Sequence, residues 1–359
     1  MILFERNMLR ASHLPFFVPF SLSHHSTHDQ TSSYTPFFYP SKFLSRRFGR
    51  EANNTSSAKL SSQWNNQRVQ FVHGKLLSEL STWRIGGPAK YFTEFSNQTQ
   101  LVAAISCRYC VDHSIRFFIV GKGSNCLFDD RGFDGCVMLN RIQFLERIHG
   151  GIYRVGSGYP LNKLGMQCSA EGFAGFEFAC GIPGTIGGAV FMNAGAHGQE
   201  ISDVIESVEI ITINGEHRLI GRNDLLFYYR QSSFQKMQDL AAIVAVTFHL
   251  TPSSTSKTKA EEYLSRRKSS QPLSERSAGS VFRNPMGSAM TAGELIDKAG
   301  LKGYSIGGAK VSDMHANFFI NLENSTSRDM VLLIKFVQEQ VKLKFGIELE
   351  EEVCMVPYG

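Results

Sequence analysis

No apolar run in the chain reaches the roughly 18 residues that a bilayer-spanning helix needs, so a helical membrane protein is excluded. GxxxxGK[ST], HExxH and GxSxG are also missing, which removes P-loop nucleotide hydrolases, zinc proteases of that signature and α/β-hydrolases. The cysteines are seven and scattered, at 107, 110, 126, 136, 168, 180 and 354. An odd, dispersed set in a long chain points to a reducing compartment and thiols rather than a disulfide framework. Cys107 and Cys110 have CxxC spacing, but no second pair or histidine pair is placed to complete a structural zinc site. They read as two small residues on one helix.

Excess charge of one sign is confined to the start of the chain. Residues 1–60 hold seven Lys/Arg against three acids, whereas 61–359 hold 30 against 29. The body therefore has no basic field for nucleic acid. Segment 1–60 contains ten Ser and four His, with no helical or strand periodicity. Rich in Ser, poor in acid and containing Arg, it has the composition of an organelle transit peptide.

The remaining 299 residues are ordinary globular sequence, long enough for two or three modest domains. Periodicity predicts helices over 97–113, 162–171, 291–299 and 327–345, the last with Met330, Leu333, Ile334, Val337 and Val341 on one stripe. Strands are expected at 115–120, 134–139, 207–213 and 241–250. Asn214-Gly215 marks a hairpin after the third. The polar stretch 251–259 reads as a linker. Helices and strands interleave irregularly, which predicts an α+β class.

Glycine is clustered. Gly121-Lys122-Gly123-Ser124-Asn125 follows a strand directly, and 181–198 holds six glycines in eighteen residues. Backbone N–H groups in such loops point at anionic oxygens, and missing side chains admit a diphosphate. The first loop is not a dinucleotide fingerprint, because position 126 is Cys. Two such loops in a near-neutral body predict a large diphosphate cofactor. His197 and His315 read as structural histidines. On residue type alone Ser280, in SAGSVFRNP (277–285), is open between nucleophile, phosphate ligand, helix cap and turn residue. Arg230 reads as a cation–π or surface-pairing arginine, and Glu352 as part of a solvated acidic run.

Seven segments in order change that. STWRIGGPA (81–89), VGKGSNCLFDDRGFDG (120–135), EFACGIPGTIGGAVFMNAGAHGQEI (177–201), YYRQSSF (228–234), SAGSVFRNP, AGELIDKAGLKGYSIGGAKVSDMHANFFIN (292–321) and FGIELEEEV (345–353) together resemble the UDP-N-acetylenolpyruvoylglucosamine reductase (MurB) family, in its shorter type, over residues 70–356. The resemblance implies a PCMH-type, vanillyl-alcohol-oxidase-like domain over 70–250, in lobes of about 70–140 and 141–250. A substrate-binding domain over 251–359 would return its tail to the site. It implies non-covalent FAD, NADPH as co-substrate, and reduction of UDP-N-acetylglucosamine enolpyruvate to UDP-N-acetylmuramate by a monomer. It assigns Ser280 as proton donor, and Arg230 with Glu352 as the pair that stabilises the enolate. Among three adjacent acids, register selects Glu352 over Glu350 and Glu351. Gly121, Gly123, Ser124 and Asn125, with Gly184, Thr185, Gly187 and Gly188, match the cofactor loops. Asn284 matches a substrate-phosphate contact.

The chain departs from the family at two binding positions. Ser270 replaces a lysine two residues before Pro272, where Lys268 is the nearby substitute, and Cys354 replaces a basic residue. The leader on a bacterial-type enzyme implies a plastid address. A binding protein without turnover and an FAD oxidoreductase of other alcohols are the competing readings.

Overall fold

The computed structural model describes residues 69–106 and 115–359. The leader 1–60, and Cys107 and Cys110, lie outside the described residues.

Among the described residues three sheets have four or five strands. In the first the spatial order is Lys75–Leu76, Pro88–Phe95, Phe133–Asn140, Phe117–Val120, and the central strand Phe133–Asn140 runs parallel to both neighbours. Parallel pairing needs crossovers; Gln98–Ser106 is the described part of the helix predicted over 97–113. Leu101, Ala104 and Ile105 on that helix pack with Phe95, Phe117 and Met138. The second sheet is antiparallel, ordered His217–Gly221, Ile205–Thr212, Leu240–His249, Ile152–Gly156, Leu145–His149. Its Asn-Gly hairpin lies where the sequence predicts it. One face buries Val208, Ile210, Val246 and Phe248 against the helices Leu161–Ala170 and Ile186–Met192. The third, also antiparallel, is ordered Ser277–Ser280, Phe318–Asn321, Ala309–Val311, Ser305–Ile306. The helices Ala292–Lys298 and Ser327–Phe345 cover it, and the predicted stripe from Met330 to Val341 is their buried seam.

Both of these helices start at capping boxes, Thr291 with Glu294 and Thr326 with Asp329. Each Thr oxygen satisfies an N–H that has no intrahelical acceptor. The predicted linker 251–259 is corrected: the helix Ser256–Ser270 begins inside it. Its polar face misleads because only Ser256 and Ala260 are buried, and the hydroxyl of Ser256 donates to the Phe173 carbonyl at 2.7 Å. The strands Pro88–Phe95, Leu145–His149 and Ile152–Gly156 carry no clear period in the sequence and were not predicted.

Three ties join the third sheet, its covering helix and the chain's last strand to segments that border the first sheet. Trp83 is fully buried, donates Nε1–H to the Phe319 carbonyl at 2.7 Å, and accepts at its own carbonyl from the Asn321 amide at 2.8 Å. The Asp130 carboxylate accepts the Ser327 N–H at 2.8 Å and the Ser327 hydroxyl at 2.8 Å. The strand Cys354–Val356 pairs in parallel with Cys126–Phe128.

Candidate active site

A cavity of about 330 Å³ opens where the three sheets meet. Its wall includes the loop that follows Val120 and, adjoining it, the turn from Ile182 to Gly188. The two glycine loops touch. A Cβ on Gly121 would lie 2.3 Å from Thr185 Oγ1, so this approach admits only glycine. The Ser124 hydroxyl donates to the Pro183 carbonyl at 3.3 Å. Gly121, Gly123, Ser124, Asn125, Gly184, Thr185, Gly187 and Gly188 all line the cavity.

Arg230, Ser280 and Glu352 line it too. Ser280 ends the strand Ser277–Ser280, in register with Phe318. Glu352 is brought alongside through its backbone: its N–H donates to the Val281 carbonyl at 2.7 Å, and its carbonyl accepts from the Asn125 side-chain amide at 3.0 Å. Arg230 closes the two-residue turn between Phe227–Tyr228 and Gln231–Ser232, with φ of 56°. That left-handed conformation is uncommon for a side-chain-bearing residue and persists where the surroundings fix it. Here Nε–H donates to Glu352 Oε1 at 2.8 Å and Nη2 to the Gly195 carbonyl at 2.8 Å. The side chains of this ion pair are 16% and 18% exposed. Burial raises the Glu352 carboxyl above the usual range, opposed by the Arg230 and Arg283 charges.

The acidic run resolves by direction. Glu350 faces outward toward Arg283, 3.6 Å away, and Glu351 accepts from Gln338 Nε2 at 3.1 Å. Only Glu352 of the three lines the cavity. Cys354 packs against the core that contains Phe128 and Val356, and burial pushes its thiol up to about 12.

Lys268 and Asn284 are not in the cavity lining. Lys268 is exposed near the end of its helix. Asn284 Oδ1 accepts the Ala292 N–H at 3.0 Å, at the start of the following helix. His197 stacks on Tyr263 at 4.0 Å, and His315 packs edge-on to Phe318 at 4.7 Å. Burial lowers both imidazoles.

Sequence reasoning missed Arg267 and Gln271, which line the cavity beside Ala278 and Gly279. Among the described residues, Arg267 Nε and Gln271 Oε1 are buried with no hydrogen-bond partner. Buried polar atoms are normally satisfied, so this pair is fitted to receive a polar ligand. Burial lowers the Arg267 guanidinium to about 10. Arg267 sits one residue from the lysine singled out by sequence; on a helix that step turns the side chain about 100°. Lys122 also lines the cavity, its ammonium lowered by burial. The cavity thus holds three cations, Lys122, Arg230 and Arg267, against one carboxylate, Glu352. With Arg230 paired to Glu352, Lys122 and Arg267 are the cavity cations outside that ion pair.

Residues 271–356 match the family model described as UDP-N-acetylenolpyruvoylglucosamine reductase, C-terminal domain, and residues 89–221 match that of an FAD binding domain. The UDP-N-acetylenolpyruvoylglucosamine reductase of Protochlamydia amoebophila is 47% identical over 289 residues, covering 80% of this chain and 95% of its own length. That of Chlamydia abortus is 47% identical over 282 residues, covering 79% and 93%. The crystal structure of UDP-N-acetylenolpyruvylglucosamine reductase from Thermus caldophilus superposes with a TM-score of 0.68 at 31% identity, covering 81% of this chain and 99% of that one.

Proposed function

The chain belongs to the UDP-N-acetylenolpyruvoylglucosamine reductase family, FAD-binding oxidoreductases also named UDP-N-acetylmuramate dehydrogenases, and from that premise we propose its reaction in detail. It reduces UDP-N-acetylglucosamine enolpyruvate to UDP-N-acetylmuramate with NADPH as the electron source. The observation that carries the reading is the convergence of Arg230, Ser280 and Glu352 on the cavity lined by both glycine loops.

When bound, FAD supplies a two-electron carrier between the nicotinamide and the enolpyruvyl double bond. The two glycine loops, which meet at Gly121 and Thr185, would hold its diphosphate through their backbone N–H groups. Hydride arriving at C3 of the substrate moves charge onto C2 and its carboxylate. Arg230 receives that charge, because its guanidinium is fixed before the charge develops. Glu352 accepts from Arg230 Nε and so holds the guanidinium in place for that task. Ser280 delivers the proton to C2. Arg267 serves a diphosphate in the cavity, in place of the missing lysine at 270. Asn284 and Lys268 lie farther out, as contacts to the nucleotide end of the substrate. Segment 1–60 serves as a plastid import leader, and the chain works as a monomer.

The test is an absorbance spectrum of the purified protein followed by an anaerobic NADPH titration. A yellow protein that oxidises NADPH continuously only when the enolpyruvyl substrate is present supports the reading. A colourless preparation, or NADPH consumption indifferent to substrate, overturns it.

A further inference from the structure

We propose that Glu200 is a positioning residue for Arg230 and that Asn193 holds Glu200 in that task; the proposal rests on the assignment of Arg230 to catalysis. Asn193 is fully buried and adopts φ of 45°, in the left-handed region. Its amide donates to Glu200 Oε2 at 2.6 Å and to the Tyr228 carbonyl at 2.9 Å, while its Oδ1 accepts the Ser202 N–H at 3.3 Å. One buried side chain thus ties the hairpin Gly195–Ala196/Gln199–Glu200 to the strand that leads into Arg230.

In that hairpin Glu200 stands opposite Gly195. A Cβ on Gly195 would come within 2.9 Å of Glu200 Cγ and 2.4 Å of the Gln199 carbonyl, so the glutamate stem lies directly over this glycine. The Gly195 carbonyl is the acceptor of Arg230 Nη2. Asn193 fixes Glu200, Glu200 covers Gly195, and Gly195 holds the guanidinium. The second carboxylate oxygen of Glu200 lies 4.0 Å from Arg230 Nη1. That distance offsets charge but is too long for a hydrogen bond. Nε and Nη2 are therefore engaged by Glu352 and Gly195, and Nη1 makes no hydrogen bond among the described residues. A rigid guanidinium with one nitrogen left for the ligand is the arrangement that developing enolate charge needs.

The experiment is rapid mixing on the FAD-loaded full chain, with the two half-reactions followed separately. Glu200→Ala is expected to leave flavin reduction by NADPH within about twofold and to slow reoxidation by the enolpyruvyl substrate roughly tenfold or more. Glu200→Gln keeps an acceptor for Asn193 and is expected to recover to within about threefold. Asn193→Ala should resemble Glu200→Ala, and the double variant should be no slower than either, because the two act as one unit. A second readout needs no turnover: the Arg230 Nε–H resonance of ¹⁵N-arginine-labelled protein, identified by its loss in Arg230→Lys. It should stay sharp in Glu200→Gln and broaden in Glu200→Ala. Reoxidation at the wild-type rate in Glu200→Ala, equal slowing of both half-reactions, or equal behaviour of the Ala and Gln variants overturns the proposal. An unchanged Nε–H resonance in Glu200→Ala does so as well. If the wild-type flavin is not reoxidised by substrate, the proposed function fails instead, and the resonance still decides whether Glu200 positions Arg230.

Discussion

Arg230 and Glu352, 122 residues apart in the sequence, meet through a 2.8 Å hydrogen bond from Nε to Oε1 at the wall of the cavity. One comes from a strained turn beside the second sheet, the other from the chain segment that returns across the third. The contact therefore depends on segments from distant parts of the chain.

Ser280→Ala should keep its yellow colour and its reduction by NADPH, while reoxidation by the enolpyruvyl substrate slows by roughly 10²–10⁴-fold, the usual worth of a general acid. Stopped-flow absorbance of the flavin checks this. Reoxidation at the wild-type rate removes Ser280 as proton donor.

Glu352 has a pH signature. Its folded-state value is raised, so the folded protein holds this proton more tightly than the unfolded chain. The stability it contributes is complete below the ordinary glutamate value and is lost as pH rises through the raised one. Glu352→Gln should flatten that part of the stability profile, measured by urea unfolding between pH 4 and 8 (a window chosen from the usual glutamate range and above it). An unchanged slope contradicts the shift.

Gly121→Ala should destabilise the protein by about 1–3 kcal/mol, because the added methyl meets Thr185 Oγ1. Thr185→Ala removes that atom and should restore part of the loss in the double variant. Thermal unfolding of the four proteins in the cycle measures the coupling. Simple additivity would show that the two loops are not in contact.

Asp130→Ala should cost about 1 kcal/mol by removing the acceptor at the start of the helix Ser327–Phe345. Flavin spectra should be unchanged, since Asp130 is not in the cavity lining.

A fluorescent fusion to residues 1–60, expressed in plant cells, should enter plastids. Retention in the cytosol removes the import role inferred from composition.

The fold was legible where one physical rule dominated. The stripe from Met330 to Val341 shows the helical period because one face alone is buried, and Asn214-Gly215 announces its hairpin because few other pairs accept that turn. Pro88–Phe95 was not legible: buried and exposed positions follow one another without strict alternation, so the strand lacks a two-residue period. The helix from Ser256 was hidden by its polarity. At the site, both glycine loops were visible because close approach excludes side chains. Ser280, Arg230 and Glu352 carried no local signal, and only their place among seven ordered segments singled them out. Arg267 carried no signal of its own beside Lys268, yet helix geometry aims it, and not the neighbouring lysine, into the cavity. Asn193 and Glu200 matter through hydrogen bonds that no spacing rule encodes.

The pairing of Cys354–Val356 with Cys126–Phe128 also sets an order of events during synthesis. The glycine loop leaves the ribosome more than two hundred residues before the strand and the glutamate that complete its surroundings. Residues of both glycine loops precede Ser280, and Glu352 follows only when almost the whole sequence has been translated. On the proposed assignment of Ser280 and Glu352, a chain broken before residue 352 would lack part of the site even where both glycine loops are present.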